Sequence, residues 1–538
     1  MFDLVIKNAK VIDGSGGPWY KADVAVKDGK ISKIGKFKDV AADNIIDAAG
    51  KVVSPGFIDA HSHSDFVAAA INNAEGKITQ GVTTEVSGVC GITAAPVNPD
   101  TISQLKQYLG AFMPKGLKLN WEWRSLGDWM DIVDKQGNAT NLAMFVGHGS
   151  IRIAVMGFAN RAPSAGELED MKKLVRQSME QGALGISTGL IYPPGCYSDK
   201  EELIELCKVI AEYGGIYVTH MRNESGEIIP ALEEAIDIGR QSGCAVHISH
   251  HKVAGRSNLG LINKTLGMME EARLEGIDVT CDVYPYIAGS TLISALLPKW
   301  VHDGGVDKML NRLKDSDIRD KIAKELEEDV PGWENLVKNG GWDKIMICSC
   351  INNKSWEGRT IKDIADELGV KPAEALFDII ISERGDVTIA LFMMDEDDNK
   401  KIVAHRLSMI GSDGFASSFS GILSQGKPHP RSLATFPRVL GRYVRENKVI
   451  SLETAIWKIT GFAAQRFGLH DRGLIREGLQ ADLVVFDPDT IIDKADYKNP
   501  FQQAEGIDYV IMKGEIVVDH KVCTGKVLGC TLRYSSRA

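Results

Sequence analysis

The chain has 538 residues, a formal net charge of -10 and 44% hydrophobic residues. That is ample for a large core and more than one ordinary domain requires. No Lys/Arg block points to nucleic acid or an anionic membrane, no apolar run approaches the ~18 residues of a bilayer span, and MFDLVIKNAK lacks the features of a signal peptide. Nine scattered cysteines, an odd number at low density, fit a reducing cytoplasm rather than a disulfide framework. The expected partner is a small molecule, with no nucleic acid and no membrane, and a homo-oligomer is left open.

The first 50 residues read as short strands with turns: DLVIKNAKVID, ADVAVKDGKISKIG and NIIDAAGKVV are rich in β-branched residues and punctuated by Gly and Asp. From residue 55 the style changes. PGFIDAHSH, TTEVSGVCG, NLAMFVGHG, LGISTGL, GIYVTHM, CAVHISHHK, DVTCDVYPY, VTIALFMM and LSMIGSDG read as strands and alternate with helical stretches such as SAGELEDMKKLVRQSMEQG. Such alternation predicts an α/β fold with parallel strands, close in number to a (β/α)8 TIM-type barrel. The stretch 292–344 is charged, helical in pattern and too long for a simple connection, which predicts an insertion over the barrel mouth, with a surface helical decoration as the plainer alternative. ADLVVFDP, DYVIMKG and EIVVDHKVCTGKVL return to the style of the first 50 residues. The expected organisation is a small β-sandwich from 1–54 and 475–538, flanking a distorted barrel over 55–474.

Chemistry in such a fold sits where strands end. His61 and His63 are two apart at the end of an apolar run, and in a strand such residues share a face. Other strand-like runs end at Cys90, near His220, near His250 and His251, and at Asp413. Strand alternation places His250 with Lys252 on one face and His247 with His251 on the other. His250 is taken as the ligand, with His251 the alternative if a bulge shifts the register. A thiolate with imidazoles suits zinc, and a catalytic zinc keeps an open position for water. Asp413 is the natural group to accept that water's proton and return it to the leaving group.

These residues, with GVTTEVSGVCGITAAP, GISTGLIYPPGCYS, YVTHMRNE, DVYPYIAGST, HPRSLATFPRVLGRYVRE and the closing ADLVVFDP, resemble the amidohydrolase superfamily and within it the D-aminoacylases, the N-acyl-D-amino-acid deacylases. The likeness runs over almost the whole chain. It implies a tight zinc held by Cys90, His220 and His250. It implies a second, weaker metal position at His61 and His63, with Cys90 as a bridge, and Asp413 as general base and acid. Related hydantoinases and dihydroorotases bridge two metals with a carboxylated lysine. The corresponding stretch here, LGISTGL, has no lysine, which argues against cyclic amides as substrates.

The implied reaction is hydrolysis of the amide in R-CO-NH-CHR′-COO⁻ to a carboxylate and a free D-amino acid. A buried carboxylate requires a cation and donors, and Lys252, Tyr284 and Arg431 match the family's positions for it. For Arg431 a structural salt bridge is the plainer alternative. Ser290 is expected to add a polar contact, and His148, at a strand end, either touches substrate or is a satisfied structural histidine. Cys196 follows a loop that the family places near the pocket, and Cys348 and Cys350 form a CxC with no second pair nearby. The chain departs from the family pattern in reading GVCG for GNCG and HPRSLATFPR for HPRxxGTFPR. The rival expectations are a related hydrolase of cyclic amides, lactones or another N-acyl metabolite, and a non-catalytic scaffold on the same fold.

Overall fold

The structure is a computed structural model that describes residues 1–38, 40–110 and 112–535. Eight parallel strand segments pair in chain order: Phe57–Asp59, Val82–Ser87, Asn141–Met144 continued by Val146–Gly147, Gly185–Gly189, Ile216–His220, Ala245–Ile248, Val279–Val283 and Ser408–Ile410. The last returns to the first. Ala60 N–H donates to the Ile410 carbonyl at 3.2 Å, Asp413 N–H to the His61 carbonyl at 2.8 Å, and Ser62 bridges Gly414 in parallel. The circle of strands therefore closes beside His61 and Asp413.

Helices lie between successive strands and pack on the outer face. Ala165–Glu180 shows why. Ser164 accepts from Glu167 N–H while the Glu167 carboxylate accepts from Ser164 N–H, a reciprocal cap that starts the helix. Met171, Val175 and Met179 then recur at helical spacing as its buried stripe. Inside the circle Ile58, Ala60, Ala143, Phe145, Leu184, Ile216, Val218 and Met409 form a separate apolar cluster, floored by Phe467. The polar residues collect at the opposite end, where the strands terminate.

Two expectations about the elements change. VTIALFMM is not in the circle. Thr388–Leu391 pairs antiparallel with Gly289–Leu292 and with Ile345–Ser349, as the middle strand of a three-stranded sheet. The excursion thus extends past 344. It has its own apolar core, including Ile293, Leu310, Ile347, Phe377 and Ile389, which is why its strands carry the apolar content of core strands. The C-terminal stretch also divides. Leu483–Phe486 pairs antiparallel with Val52–Pro55, joining both ends of the chain in one nine-stranded sheet. Thr531–Leu532 leaves that sheet and extends the edge of Asn141–Met144.

Candidate active site

At the C-terminal ends of the strands, nine of the expected residues line one cavity: His63, Cys90, His220, His250, Lys252, Tyr284, Ser290, Asp413 and Arg431. His61 lies fully buried behind them. Cys90, His250 and Asp413 all have left-handed backbone, with φ of 55°, 34° and 51°. Non-glycine residues seldom adopt this, and it concentrates at functional sites. Here it turns each chain sharply off its strand so that the side chain faces the centre. Gly411 serves the same crowding. A Cβ there would stand 2.5 Å from the His61 Cβ and 2.8 Å from Asp282 Oδ1.

Cys90 Sγ lies 3.4 Å from His61 Nε2, 3.4 Å from His250 Nε2 and 4.0 Å from His220 Nδ1. Asp413 Oδ1 lies 3.5 Å from His61 Nε2 and 3.2 Å from His63 Nε2. Donors around a tetrahedral zinc at roughly 2.0–2.3 Å stand about 3.3–3.8 Å apart, so the separations of 3.2–3.5 Å fit a shared ion and the 4.0 Å to His220 is slightly longer. Three donor sets lie within 4.8 Å: His61, Cys90 and His250; His61, His63 and Asp413; and His220, Glu224 and His250.

The field of the site supports the same reading. Burial opposes a charge on His61, yet Asp282 and the Cys90 thiolate raise its pKa well above the ordinary value. Burial also opposes charge on His250, and Lys252 adds to that, but Glu224 and Cys90 push it up to about 9. Burial would raise the Cys90 thiol. His61, His250 and His220 outweigh burial and hold it well below its usual range. A pocket that stabilises protons on buried imidazoles favours any cation, and a divalent ion would displace those protons. The thiolate, imidazole and carboxylate donors fit zinc.

Asp413 is paired with Arg431, Oδ2 to Nη1 at 2.8 Å. Burial works to raise its pKa, but Arg431, then His250 and His63, hold it well below the usual carboxylate range. Arg431 therefore both lines the cavity and forms the salt bridge that was its plainer alternative. It also donates to the Ser290 carbonyl at 3.3 Å. Lys252 donates to both oxygens of Glu224 at 2.7 and 2.8 Å. The Tyr284 ring has cations on it, Lys252 Nζ at 5.6 Å and the Arg431 guanidinium at 4.7 Å from the centroid. Burial, partly offset by those cations, pushes the Tyr284 phenol up to about 12, so it is a neutral donor at physiological pH.

His250, not His251, faces the site. His251 Nε2 meets Thr265 Oγ1 at 2.9 Å on the outer side. The alternation that led to His250 nonetheless fails at His247. The strand ends at Ile248 and the chain turns at His250. His247 consequently lies inside the circle, its Nε2 3.0 Å from Asp282 Oδ2. His148 does not reach the cavity. It is fully buried, with Nε2 2.7 Å from Glu202 Oε1, and Arg152 pairs with the other oxygen of that carboxylate. It therefore does not touch substrate: its Nε2 is committed to that network and it does not line the cavity. Cys196 is buried against Arg222, which donates to its carbonyl, and does not line the cavity.

Two carboxylates that brace the imidazoles were missed. Asp282 Oδ2 lies 3.3 Å from His61 Nδ1, and its Oδ1 accepts from His250 N–H at 2.9 Å. Glu224 lies 3.1 Å from His250 Nδ1. Each orients an imidazole so that its Nε2 faces Cys90. Glu224 was within reach of sequence reasoning, since it follows His220 by four residues in YVTHMRNE.

The chain matches the amidohydrolase family over residues 44–518, and residues 1–55 match the N-terminal domain of urease alpha-subunits. It is 37% identical to D-aminoacylase from Alcaligenes xylosoxydans xylosoxydans, over 99% of this chain and 97% of that one. N-acyl-D-glutamate deacylase from Bordetella bronchiseptica, solved with zinc and a phosphonate mimic of the tetrahedral intermediate, superposes with a TM-score of 0.83 at 33% identity, covering 99% of each chain. A D-aminoacylase structure concerned with a binuclear metal centre, one-metal activation and second-metal attenuation superposes at 0.81 with 36% identity, covering 99% of this chain and all of the other. This chain belongs to the amidohydrolase family, on the branch of the D-aminoacylases and N-acyl-D-amino-acid deacylases.

Proposed function

We propose that this chain hydrolyses N-acyl-D-amino acids with zinc as its resident metal. The observation that carries the reading is the meeting of Cys90, His220 and His250 with a buried, ionised Asp413 in one cavity that Lys252 and Tyr284 also line. Cys90, His220 and His250 would hold the tight ion and His61 with His63 a second, where zinc supplies Lewis acidity toward the acyl carbonyl and lowers the pKa of water.

The chain's own groups do the rest. Lys252, Tyr284 and Arg431 bind the α-carboxylate, and Ser290 shapes the wall between them. The Asp413 carboxylate takes the proton of the attacking water and delivers it to the departing amine nitrogen. Its pairing with Arg431 keeps Asp413 ionised and aimed before the substrate arrives. The buried setting of both strengthens each charge contact relative to water.

In the same reading the circle of strands is a distorted (β/α)8 barrel over 55–474, and the sheet built from 1–54 and most of 475–538 folds over on itself as a β-sandwich. The excursion that begins near 292 covers the barrel mouth. The nine cysteines are all free thiols, which supports a reducing, cytoplasmic setting.

The test is zinc content measured together with hydrolysis of paired N-acetyl-D- and N-acetyl-L-amino acids of Met, Leu, Phe and Glu. Amine release from the D-forms alone, with about one tight zinc per chain, is expected. Zinc without turnover of either series, or of their longer-chain N-acyl counterparts, would sink the assignment and bring cyclic amides and lactones forward.

A further inference from the structure

The cavity that holds the metal-type residues is one of two lobes. A second void, of about 110 Å³, adjoins it, and the two share His63, Phe112, Ser290, Phe415 and Arg431 as common wall. Lys252 and Tyr284 line only the first lobe. The α-carboxylate, and with it the amino-acid half of a substrate, is therefore placed in that lobe. The acyl half must leave the scissile carbon in the other direction, past His63.

One wall of that lobe is aromatic and aliphatic, and hydroxyls such as those of Ser349, Thr388 and Ser417 line other sides. Phe66 and Phe415 stack on the His63 ring at 5.6 and 5.5 Å between centroids, and Phe112 closes the cluster at 5.5 Å from Phe66 and 6.0 Å from Phe415. Val67, Ile422 and Leu423 continue the lining outward. Phe415, Ile422 and Leu423 come from the segment between Asp413 and Arg431, so the loop joining those two residues also builds this wall. At the outer end stand Lys115 and Lys354, each already paired, Lys115 with Asp386 at 3.0 Å and Lys354 with Glu357 at 2.9 Å. Both are partly exposed at the rim, so solvent screens them and they would hold a second carboxylate more weakly than the buried Lys252 and Arg431 hold the first.

An acetyl methyl occupies about as much space as one water, and one water needs only about 10–15 Å³ of such void. Acetyl would leave most of this lobe wet against aromatic walls. We propose that the second lobe is an acyl subsite for medium-length, unbranched apolar chains. Resting on the deacylase reading, this makes the substrate class N-(medium-chain acyl)-D-amino acids, with acetyl a poor member. Each methylene seated there is worth roughly fourfold in kcat/KM, until the chain reaches the lysine rim.

The test is kcat/KM of the zinc-loaded enzyme for N-acetyl-, N-butyryl-, N-hexanoyl-, N-octanoyl- and N-succinyl-D-methionine, with Ile422→Trp beside wild type. A rise of at least tenfold from acetyl to hexanoyl is expected, with succinyl slower than butyryl. In Ile422→Trp the octanoyl-to-acetyl ratio should fall at least tenfold. Hydrolysis of the acetyl compound with a flat or falling series overturns the inference and leaves the deacylase reading intact. A variant that alters the preference among D-Met, D-Leu and D-Phe, but not the acyl series, overturns it too, since the lobe would then hold the side chain. No hydrolysis of any member by wild type removes the deacylase reading itself. The wild-type series stands even if the variant does not fold.

Discussion

Asp282 holds His61 from behind: the Oδ2 of one faces the Nδ1 of the other at 3.3 Å, with both side chains out of contact with solvent. The same carboxylate accepts from the His250 backbone, so one residue braces two of the proposed ligands. Asp282→Asn should keep the size and lose the charge. A 10–100-fold weaker zinc affinity is expected from such a change. Competition with a chromogenic chelator measures it directly, and an unchanged affinity would show that Asp282 serves packing alone.

Asp413→Ala removes the proposed proton carrier. Its kcat should drop by roughly 10²–10⁴. Zinc at Cys90, His220 and His250 should remain, as read by metal analysis on the same preparation. Loss of metal in parallel with activity would instead make Asp413 a ligand first.

Arg431 has two proposed duties that kinetics can separate. In Arg431→Met the α-carboxylate loses a partner, so KM rises. Asp413 loses the strongest of the charges that lower its pKa. The sign follows: without Arg431 the carboxyl protonates at a higher pH, and the acid limb of kcat moves upward. In Lys252→Met, KM should rise while the acid limb moves less. A pH profile of Arg431→Met that overlays wild type would refute the link to Asp413.

The buried trio of His148, Glu202 and Arg152 predicts a stability effect away from the chemistry. Burial works to raise the Glu202 pKa, but His148 and Arg152 outweigh it and leave it lowered. A carboxyl depressed in the folded state contributes stability above its unfolded pKa and loses it as pH falls through the folded one. Glu202→Gln, which breaks a buried charge pair, should cost about 3–5 kcal/mol at neutral pH. The gap from wild type should narrow in acid. Urea denaturation at several pH values gives both numbers, and a constant gap down to strongly acidic pH would contradict the assignment.

Much of this site could be read from the chain because its members end strands, and strand ends are visible as apolar runs that stop at Cys90, His220 and Asp413. Asp282 was not legible. It sits mid-strand in DVTCDVYPY, and nothing local reveals a partner as distant as His61. His247 was misplaced because alternation assumes an unbroken strand, whereas the backbone leaves strand geometry after Ile248 and turns left-handed at His250. VTIALFMM misled for a related reason. A strand in a small antiparallel sheet with its own core is as apolar as one in the main circle, so composition does not tell the two apart.

The antiparallel pairing of Val52–Pro55 with Leu483–Phe486 has a consequence for biosynthesis. Val53 emerges from the ribosome long before its register partner Val485 exists. At about 5–20 residues per second, the first strands wait for tens of seconds with an open edge. Their other neighbours, Phe2–Val11 and Tyr20–Lys27, are already present and can pair at once. The nascent chain thus carries a half-built sheet with one sticky side through most of its synthesis, and chaperone dependence during expression should track that interval.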